Sequence, residues 1–225
     1  MNKAFVINLD SAEKEFQEVQ HAFLPFGIEC ERFVVTPDGN KQIGCTITHL
    51  ELIAHAKKKG WPYLIVIEDD CTAREALQEW PAISRYLFNN RDRWDIFLGG
   101  VLYVQPKKLY LDFKKETSAP LEMIECSHAV TAHFIIYNQS SYDRLLQWYK
   151  LPEPPEQRPN IDNLFEQYQL KVWTTSPGIA WQKPRPQSDW TAQFEHAENK
   201  LRYFSQSLRN CLKYRLLGRW LKTIQ

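Results

Sequence analysis

Three consecutive carboxylates, Glu68-Asp69-Asp70, directly follow Tyr63-Leu64-Ile65-Val66-Ile67, the most apolar run in the chain. A continuous apolar run of that kind reads as a strand covered on both faces, as in the interior of a parallel sheet. Ligands of open α/β sheets bind outside the carboxyl ends of such strands. Adjacent carboxylates repel one another, and a divalent cation removes the repulsion. Hard oxygen ligands suit Mn²⁺ or Mg²⁺, usually shared with substrate phosphates. An ion held there stabilises a departing diphosphate as a Lewis acid. The structural alternative is a strand end whose acids cap the next helix, through Asp70 or Thr72. No G-x-x-x-x-G-K-[ST] loop is present and no G-x-G-x-x-G follows a strand, which argues against P-loop and dinucleotide chemistry.

The elements that would position these acids read as an alternation. Ala4 to Leu9 is a buried strand. Asp10-Ser11-Ala12-Glu13 has the pattern of a capping box, and Phe16, Val19 and Phe23 follow at helical spacing until Pro25 and Gly27. Cys30 to Val35 is a second strand, closed by the turn Pro37-Asp38-Gly39-Asn40. Ile43, Ile47, Leu50 and Ala54 mark a helix that ends in Lys57-Lys58-Lys59 with Gly60 just past it. After the central apolar strand a further helix runs through Leu77, Trp80, Ile83 and Leu87, and Trp94 to Leu98 forms another strand before Gly99-Gly100. This β-α-β-α-β-α-β order predicts an α/β fold with a largely parallel sheet.

The second half is less regular. Residues 101–120 read as loop and short strands, and Ala132 to Tyr137 as a strand. Ser140-Ser141-Tyr142-Asp143 caps a helix through Leu145 and Tyr149. Four prolines between Pro152 and Pro159 make an extended loop, a short helix covers Ile161 to Tyr168, and Val172-Trp173 precedes the turn Ser176-Pro177-Gly178.

Composition bounds the reading. The chain has 225 residues, 44% hydrophobic and 24% charged, an ordinary globular balance. Eight Trp, ten Tyr and twelve Phe are many for this length and can line a sugar or base pocket or fill a core. The five cysteines are odd in number and form no C-x-x-C pair, so neither a disulfide framework nor a zinc knuckle is indicated. No signal peptide and no membrane span is evident. A cytoplasmic location is expected, with peripheral attachment at the cytosolic membrane face as an option.

Charge is uneven. Seven of the 28 Lys and Arg lie within residues 199–225, which hold none of the 27 Asp and Glu, leaving the body at −6. Leu201, Phe204, Leu208, Leu212, Leu216, Leu217, Trp220, Leu221 and Ile224 approximate one helical stripe in this tail. A basic amphipathic helix of this kind fits an anionic membrane surface; the alternative is a helix docked on the domain with its cations in water. Residues 1–190 are read as one domain and 191–225 as a basic helical appendage. No nucleic acid is expected as a partner.

Several segments, in order, resemble glycosyltransferase family 25, the lipopolysaccharide-type and collagen-type sugar transferases. Val6-Ile7-Asn8-Leu9-Asp10 is similar to its opening strand. Asp38-Gly39 and Ile43-Gly44-Cys45-Thr46-Ile47-Thr48-His49 are similar to its D-G and G-C-x-x-S-H signatures. Ile67-Glu68-Asp69-Asp70 resembles its E-D-D segment, Trp94 to Gly99 its W-D stretch, Thr131 to Ile136 its T-x-A-Y-x-I strand, and Gln182 with Ser188-Asp189 its Q…S-D-I end. The chain departs from the family at Ser11-Ala12-Glu13, where an Arg is usual, and at Thr48.

The resemblance implies a GT-A type fold, with a mixed, largely parallel Rossmann-like sheet flanked by helices. It also implies a nucleotide-sugar donor, commonly UDP-galactose, and hexose transfer to a glycan, lipid-linked glycan or protein hydroxyl, with inversion. It sets Asp70 and Glu68 as the metal pair and Asn8, Asp38, Gly44, His49, Glu68 and Asp69 around the donor. A helix N-terminus near Gly44 offers N–H groups to phosphate; His49 alone reads equally as a half-buried structural histidine. Inverting transfer needs a general base. Asp162, opening a short helix, and Asp189 are the candidates, each also readable as an ordinary structural acid. Trp181 and Gln182 stand on the acceptor side or in the core. Two other functions use the same residues: a non-catalytic glycosyltransferase-like binding protein, and a metal-dependent phosphohydrolase.

Overall fold

The computed structural model describes residues 2–35, 41–113, 116–117, 120–131, 133–183, 193, 195–206 and 208, with Lys41 and Gln42 described in backbone only. Its strands are β1 (Lys3–Leu9), β2 (Glu29–Val35), β3 (Tyr63–Glu68), β4 (Cys71–Ala73), β5 (Ile96–Leu98), β6 (Tyr103–Tyr110), β7 (Glu122–Val130), β8 (Phe134–Asn138), β9 (Val172–Ser176) and β10 (Ala180–Gln182). The α-helices are α1 (Glu13–Phe23), α2 (Lys41–Lys59), α3 (Trp80–Asn89), α4 (Gln139–Leu145) and α5 (Ile161–Gln167).

Eight strands form one mixed sheet in the order β2-β1-β3-β8-β5-β9-β7-β6. The pairs β1·β2, β1·β3 and β5·β9 are parallel, and β3·β8, β5·β8, β7·β9 and β6·β7 are antiparallel. Six strands therefore run one way, and only β7 and β8 run the other. Strands β4 and β10 make a separate two-stranded sheet. This is the expected α/β architecture, a mixed sheet flanked by helices.

Alternation along the strands sends side chains to opposite faces. Phe5, Ile7, Leu64, Val66, Ile135 and Tyr137 enter a core completed by residues of α2, α4 and α5. Ala4, Val6, Ile65, Ile67, Phe134 and Ile136 enter a second core completed by α1 and α3. Both faces are thus covered, which is why β3 carries no polar residue before Glu68. Trp94, Trp148 and Trp173 are fully buried, so at least these aromatics fill the core.

Two local expectations need correction. The capping box before α1 does not form: the N-cap is Ala12, and no side chain caps the helix. Helix entry falls beyond Ser11, and Asn8 donates instead to the Ala12 carbonyl at 2.7 Å. Residues 103–110 form a full strand paired with β7, where sequence suggested loop and short pieces. The last turn of α2 behaves as expected, with Gly60 at φ 67° providing the left-handed residue beyond it.

The Trp94-Asp95 pair has a structural job. Trp94 Nε1 donates to the Leu87 carbonyl at 2.9 Å, fixing α3 to the start of β5. The Asp95 carboxylate, 5% exposed, accepts from Ser140 Oγ at 2.7 Å, from the Lys171 amide at 2.9 Å and from Arg144. One buried acid therefore ties β5 to α4 and to the approach of β9.

The described start of the C-terminal segment lies against the domain. Residues 195–206 are helical, and Ala197 and Leu201 belong to the core that also holds Val66, with Phe204 against it. Arg209 to Gln225, and with them most of the basic stripe, lie outside the described residues. Among the described residues no helix is long and apolar enough to cross a membrane.

Removing the Asp95 strut takes the acceptor from three part-buried hydrogen bonds, one of them charge-assisted on both sides. Asp95→Ala is expected to lower unfolding free energy by about 2–3 kcal/mol, read as a reduced denaturation midpoint with an unchanged slope.

Candidate functional site

The carboxyl ends of β1 and β3 and the amino end of β8 meet at one edge of the sheet. Ile7 pairs with Glu68, and the Glu68 amide donates to the His133 carbonyl at 2.9 Å. After Glu68 the chain turns through Asp69-Asp70 into β4, where Cys71 is paired with Gln182 of β10. That pairing clamps the turn from the far side: the Lys183 amide donates to the Asp70 carbonyl at 2.8 Å, and Gln182 Nε2 donates to Asp70 Oδ2 at 2.9 Å.

Glu68 points toward helix α2. Its Oε1 accepts from Cys45 Sγ at 3.2 Å and lies 4.0 Å from His49 Nε2. Cys45 and His49 are four residues apart on a helix, so they share a face. The Sγ, Nε2 and carboxylate oxygen all fall within 4.8 Å of one another. His49 is fully buried, and its Nδ1 is hydrogen-bonded to the Tyr137 hydroxyl at 2.9 Å. Burial would raise the Glu68 pKa, but its contacts with His49 and Cys45 outweigh that and hold it below the usual carboxylate range. Burial, with Glu68, Asp162 and Asp70 adding their charge, pushes the Cys45 thiol far up.

Asp162 completes the cluster from α5. Asn160 caps that helix by accepting from the Asn163 amide at 3.0 Å, and the Ile161 amide donates to Thr46 Oγ1 of α2 at 3.1 Å. These contacts fix Asp162 beside the α2 residues. Its carboxyl is buried, accepts a hydrogen bond from the Thr131 amide, and is pushed up to about 7, first by desolvation and then by the charge of Glu68. Its Oδ1 has no hydrogen-bond partner. A carboxyl poised there can take a proton near neutral pH.

Asn8, 1% exposed, spends its amide on Asp69 Oδ2 at 3.0 Å and accepts from Arg32 Nε at 2.7 Å. It orders the turn rather than facing open space. Arg32 also donates to the Leu9 and Asp10 carbonyls at 3.0 and 2.9 Å and pairs with Glu13. A guanidinium thus sits at the end of β1 although none follows it in sequence. Gly44 lies in the first turn of α2 and accepts from Thr48 Oγ1 at 2.8 Å. Trp181 lines a cavity of about 190 Å³ with Arg74, Glu195, Glu198, Asn199 and Arg202. That cavity adjoins the turn but is not lined by Glu68, Asp70 or Asp162. Asp38 and Asp189 lie outside the described residues.

Sequence reasoning missed Cys45, His133, Tyr137 and Arg32. The four-residue spacing of Cys45 and His49 was the available signal. His133 is buried, donates to the Ala180 carbonyl and is driven down to about 4, chiefly by desolvation. Gly100 permits this packing, since a Cβ there would run into the Ala180 carbonyl oxygen and stand 3.1 Å from His133 Nε2.

No protein-family model matches the chain, and no characterised protein matches it in sequence. Among solved structures it is similar to A197 from STIV, at 11% identity and TM-score 0.48 over 82% of this chain and 87% of that one. It is similar to a glycosyltransferase involved in glycosylation of the major capsid of PBCV-1, at 8% and 0.43 over 87% and 98%. It is also similar to an apo UDP-glucose pyrophosphorylase, at 9% and 0.45 over 92% and 82%. At these identities and scores the likenesses assign neither a family nor a reaction.

The raised carboxyl of Asp162 has a measurable consequence for stability. Below about pH 4 the group is protonated in both folded and unfolded chains. Between there and about pH 7 the unfolded chain ionises first, so stability falls as pH rises. Asp162→Asn is therefore expected to match the parent near pH 4 and to melt higher than the parent above pH 7, in chelator-treated buffer. Equal melting at both ends of the range would contradict the buried, raised carboxyl.

Proposed function

We propose that the chain is a relative of glycosyltransferase family 25 that transfers a hexose, galactose or glucose, from a UDP-sugar to a glycan, lipid-linked glycan or protein hydroxyl. What supports this reading is the pair of acids Glu68 and Asp70 flanking the turn at the carboxyl end of β3, with the charge of Glu68 helping to push Asp162 up to about 7. The ordered sequence resemblance narrows such a site to nucleotide-sugar chemistry.

The residues fit a hard divalent ion. Glu68, Asp162 and Asp70 all bear electrostatically on the Cys45 thiol, and Mn²⁺ or Mg²⁺ would relieve repulsion among such acids. Asp70 would hold the ion, with Glu68 on its nucleotide side and Asp69 kept in register by Asn8. When bound, the ion would neutralise charge on the departing diphosphate. The chain's own residues do the rest. Asp162 in its ionised form takes the proton of the acceptor hydroxyl. The acceptor oxygen bonds to the anomeric carbon as the bond from that carbon to the diphosphate breaks, and UDP leaves with the electron pair. A single displacement of this kind inverts the anomeric centre. Gln182 holds Asp70, while Trp181 lines the neighbouring cavity with Arg74 and Glu198, where it would offer an aromatic face to an acceptor sugar.

A screen of UDP-, GDP- and CMP-sugars with Mn²⁺ against hydroxyl acceptors tests the reading. Asp70→Asn is expected to abolish Mn²⁺-dependent transfer while circular dichroism stays unchanged; undiminished transfer in that variant sinks the proposal. Asp162→Asn is expected to bind UDP normally and to lose roughly 10²–10⁴-fold in kcat. Donor hydrolysis that is indifferent to acceptors would instead point to a phosphohydrolase, and absence of UDP binding to a non-catalytic binder.

A further inference from the structure

We propose that Cys45, His49 and Glu68 form a second metal site, for a borderline-soft ion such as Zn²⁺, seated between α2 and the end of β3. It differs in chemistry from the hard-oxygen pair and does not rest on the transfer reaction. The donor set is one thiolate, one imidazole and one carboxylate, a combination typical of zinc and not of Mn²⁺ or Mg²⁺.

The geometry is close to what binding requires. Around a tetrahedral zinc ion the donor atoms stand roughly 3.2–3.6 Å apart, given bonds of about 2.0–2.3 Å. Here Sγ and Oε1 are 3.2 Å apart, Nε2 and Oε1 are 4.0 Å apart, and all three lie within 4.8 Å. Small side-chain rotations close the remaining gap. Two donors come from one helix face at i and i+4, and the third from the strand that the helix covers.

A second, independent observation points to a ligand. His49 is fully buried, yet its Nε2 has no hydrogen-bond partner and faces Glu68. Its other nitrogen is held by the Tyr137 hydroxyl at 2.9 Å. In the metal-bound form Nδ1–H would donate to that oxygen and Nε2, having given up its proton, would turn its lone pair to the cluster, which is how metal-ligating histidines are usually oriented. Asp162 Oδ1, also buried and without a partner, belongs to the same cluster, since its charge acts on Cys45. Water can supply the fourth ligand. Binding would convert the Cys45 thiol to thiolate with release of one proton.

Cobalt(II) titration of the reduced, metal-free full chain tests this directly. The expected result is one equivalent bound, with a thiolate-to-cobalt charge-transfer band in the near ultraviolet, visible bands of a tetrahedral ion, and displacement by Zn²⁺. Cys45→Ser should lose the charge-transfer band, and Tyr137→Phe should weaken affinity by roughly 10–100-fold as loss of a supporting hydrogen bond does. Asp70→Asn should keep the full spectrum, separating this site from the one assigned to transfer. A folded parent chain that shows no charge-transfer band at millimolar Co²⁺ overturns the proposal. So does a band that persists in Cys45→Ser.

Discussion

Glu68 ends a strand whose preceding residues, Leu64 to Ile67, are buried on both faces, and its side chain is only 16% exposed. A carboxylate at the rim of so dry a region acts strongly on every titratable group near it, because little water screens it. Cys45 and Tyr137 are both driven up, by burial first and then by charges that include that of Glu68. Asp162 is driven up by its own burial and then by Glu68. Glu68 opposes the burial shift of His133 as well. The electrostatic character of the whole cluster therefore depends on keeping one acid ionised where water is scarce. The groups that do this are His49 and Cys45, both on α2 and both against Glu68.

That concentration of charge works against folding, and the surrounding architecture has to hold it. Two apolar cores sandwich the sheet, so strand ends cannot splay to let water in. Asn8 and Gln182 restrain Asp69 and Asp70 from opposite sides. The small β4·β10 sheet exists because Gly99-Gly100 lets residues 179–180 pass close by, with the Ile179 and Ala180 amides both reaching the Gly99 carbonyl at 2.7 and 3.0 Å. Asp95 performs the corresponding task at the other end of β5. The Trp94-Asp95 stretch is thus a structural element.

What could be read from the residues follows from how local each signal is. The central strand and its acids were legible because a five-residue apolar run has one common explanation in an α/β chain. Asp162 was legible as a helix-opening acid because Asn160 caps locally; its proximity to Glu68 was not, since it depends on Thr46 receiving the Ile161 amide across 115 positions. The β6·β7 pair was obscured by Pro106, Lys107 and Lys108, residues that suit a sheet edge and blunt a strand signal. Cys45 stands four residues before His49, a helical spacing that puts both on one face, but nothing in sequence sets that face against Glu68. Arg32 was invisible as a partner of Asn8, because only parallel pairing of β1 with β2 sets Arg32 opposite Val6 and so within reach of the end of β1.

The C-terminal segment adds a further constraint. Leu201 is fully buried and Phe204 packs against the same core, so neither can also enter a bilayer while the helix is docked. What fixes the helix is polar: Glu198 accepts from the Gly178 amide at 2.8 Å and from Arg74 Nη1 at 3.0 Å. Arg74 directly follows β4, and its amide reaches the Ile179 carbonyl at 2.9 Å. Gly178 lies just before β10. One buried carboxylate on the tail therefore grips both strands of the sheet that holds Gln182 on Asp70. Any ligand or surface that drew this helix away would loosen the β4·β10 pair first, and through Gln182 the acid proposed to hold the ion.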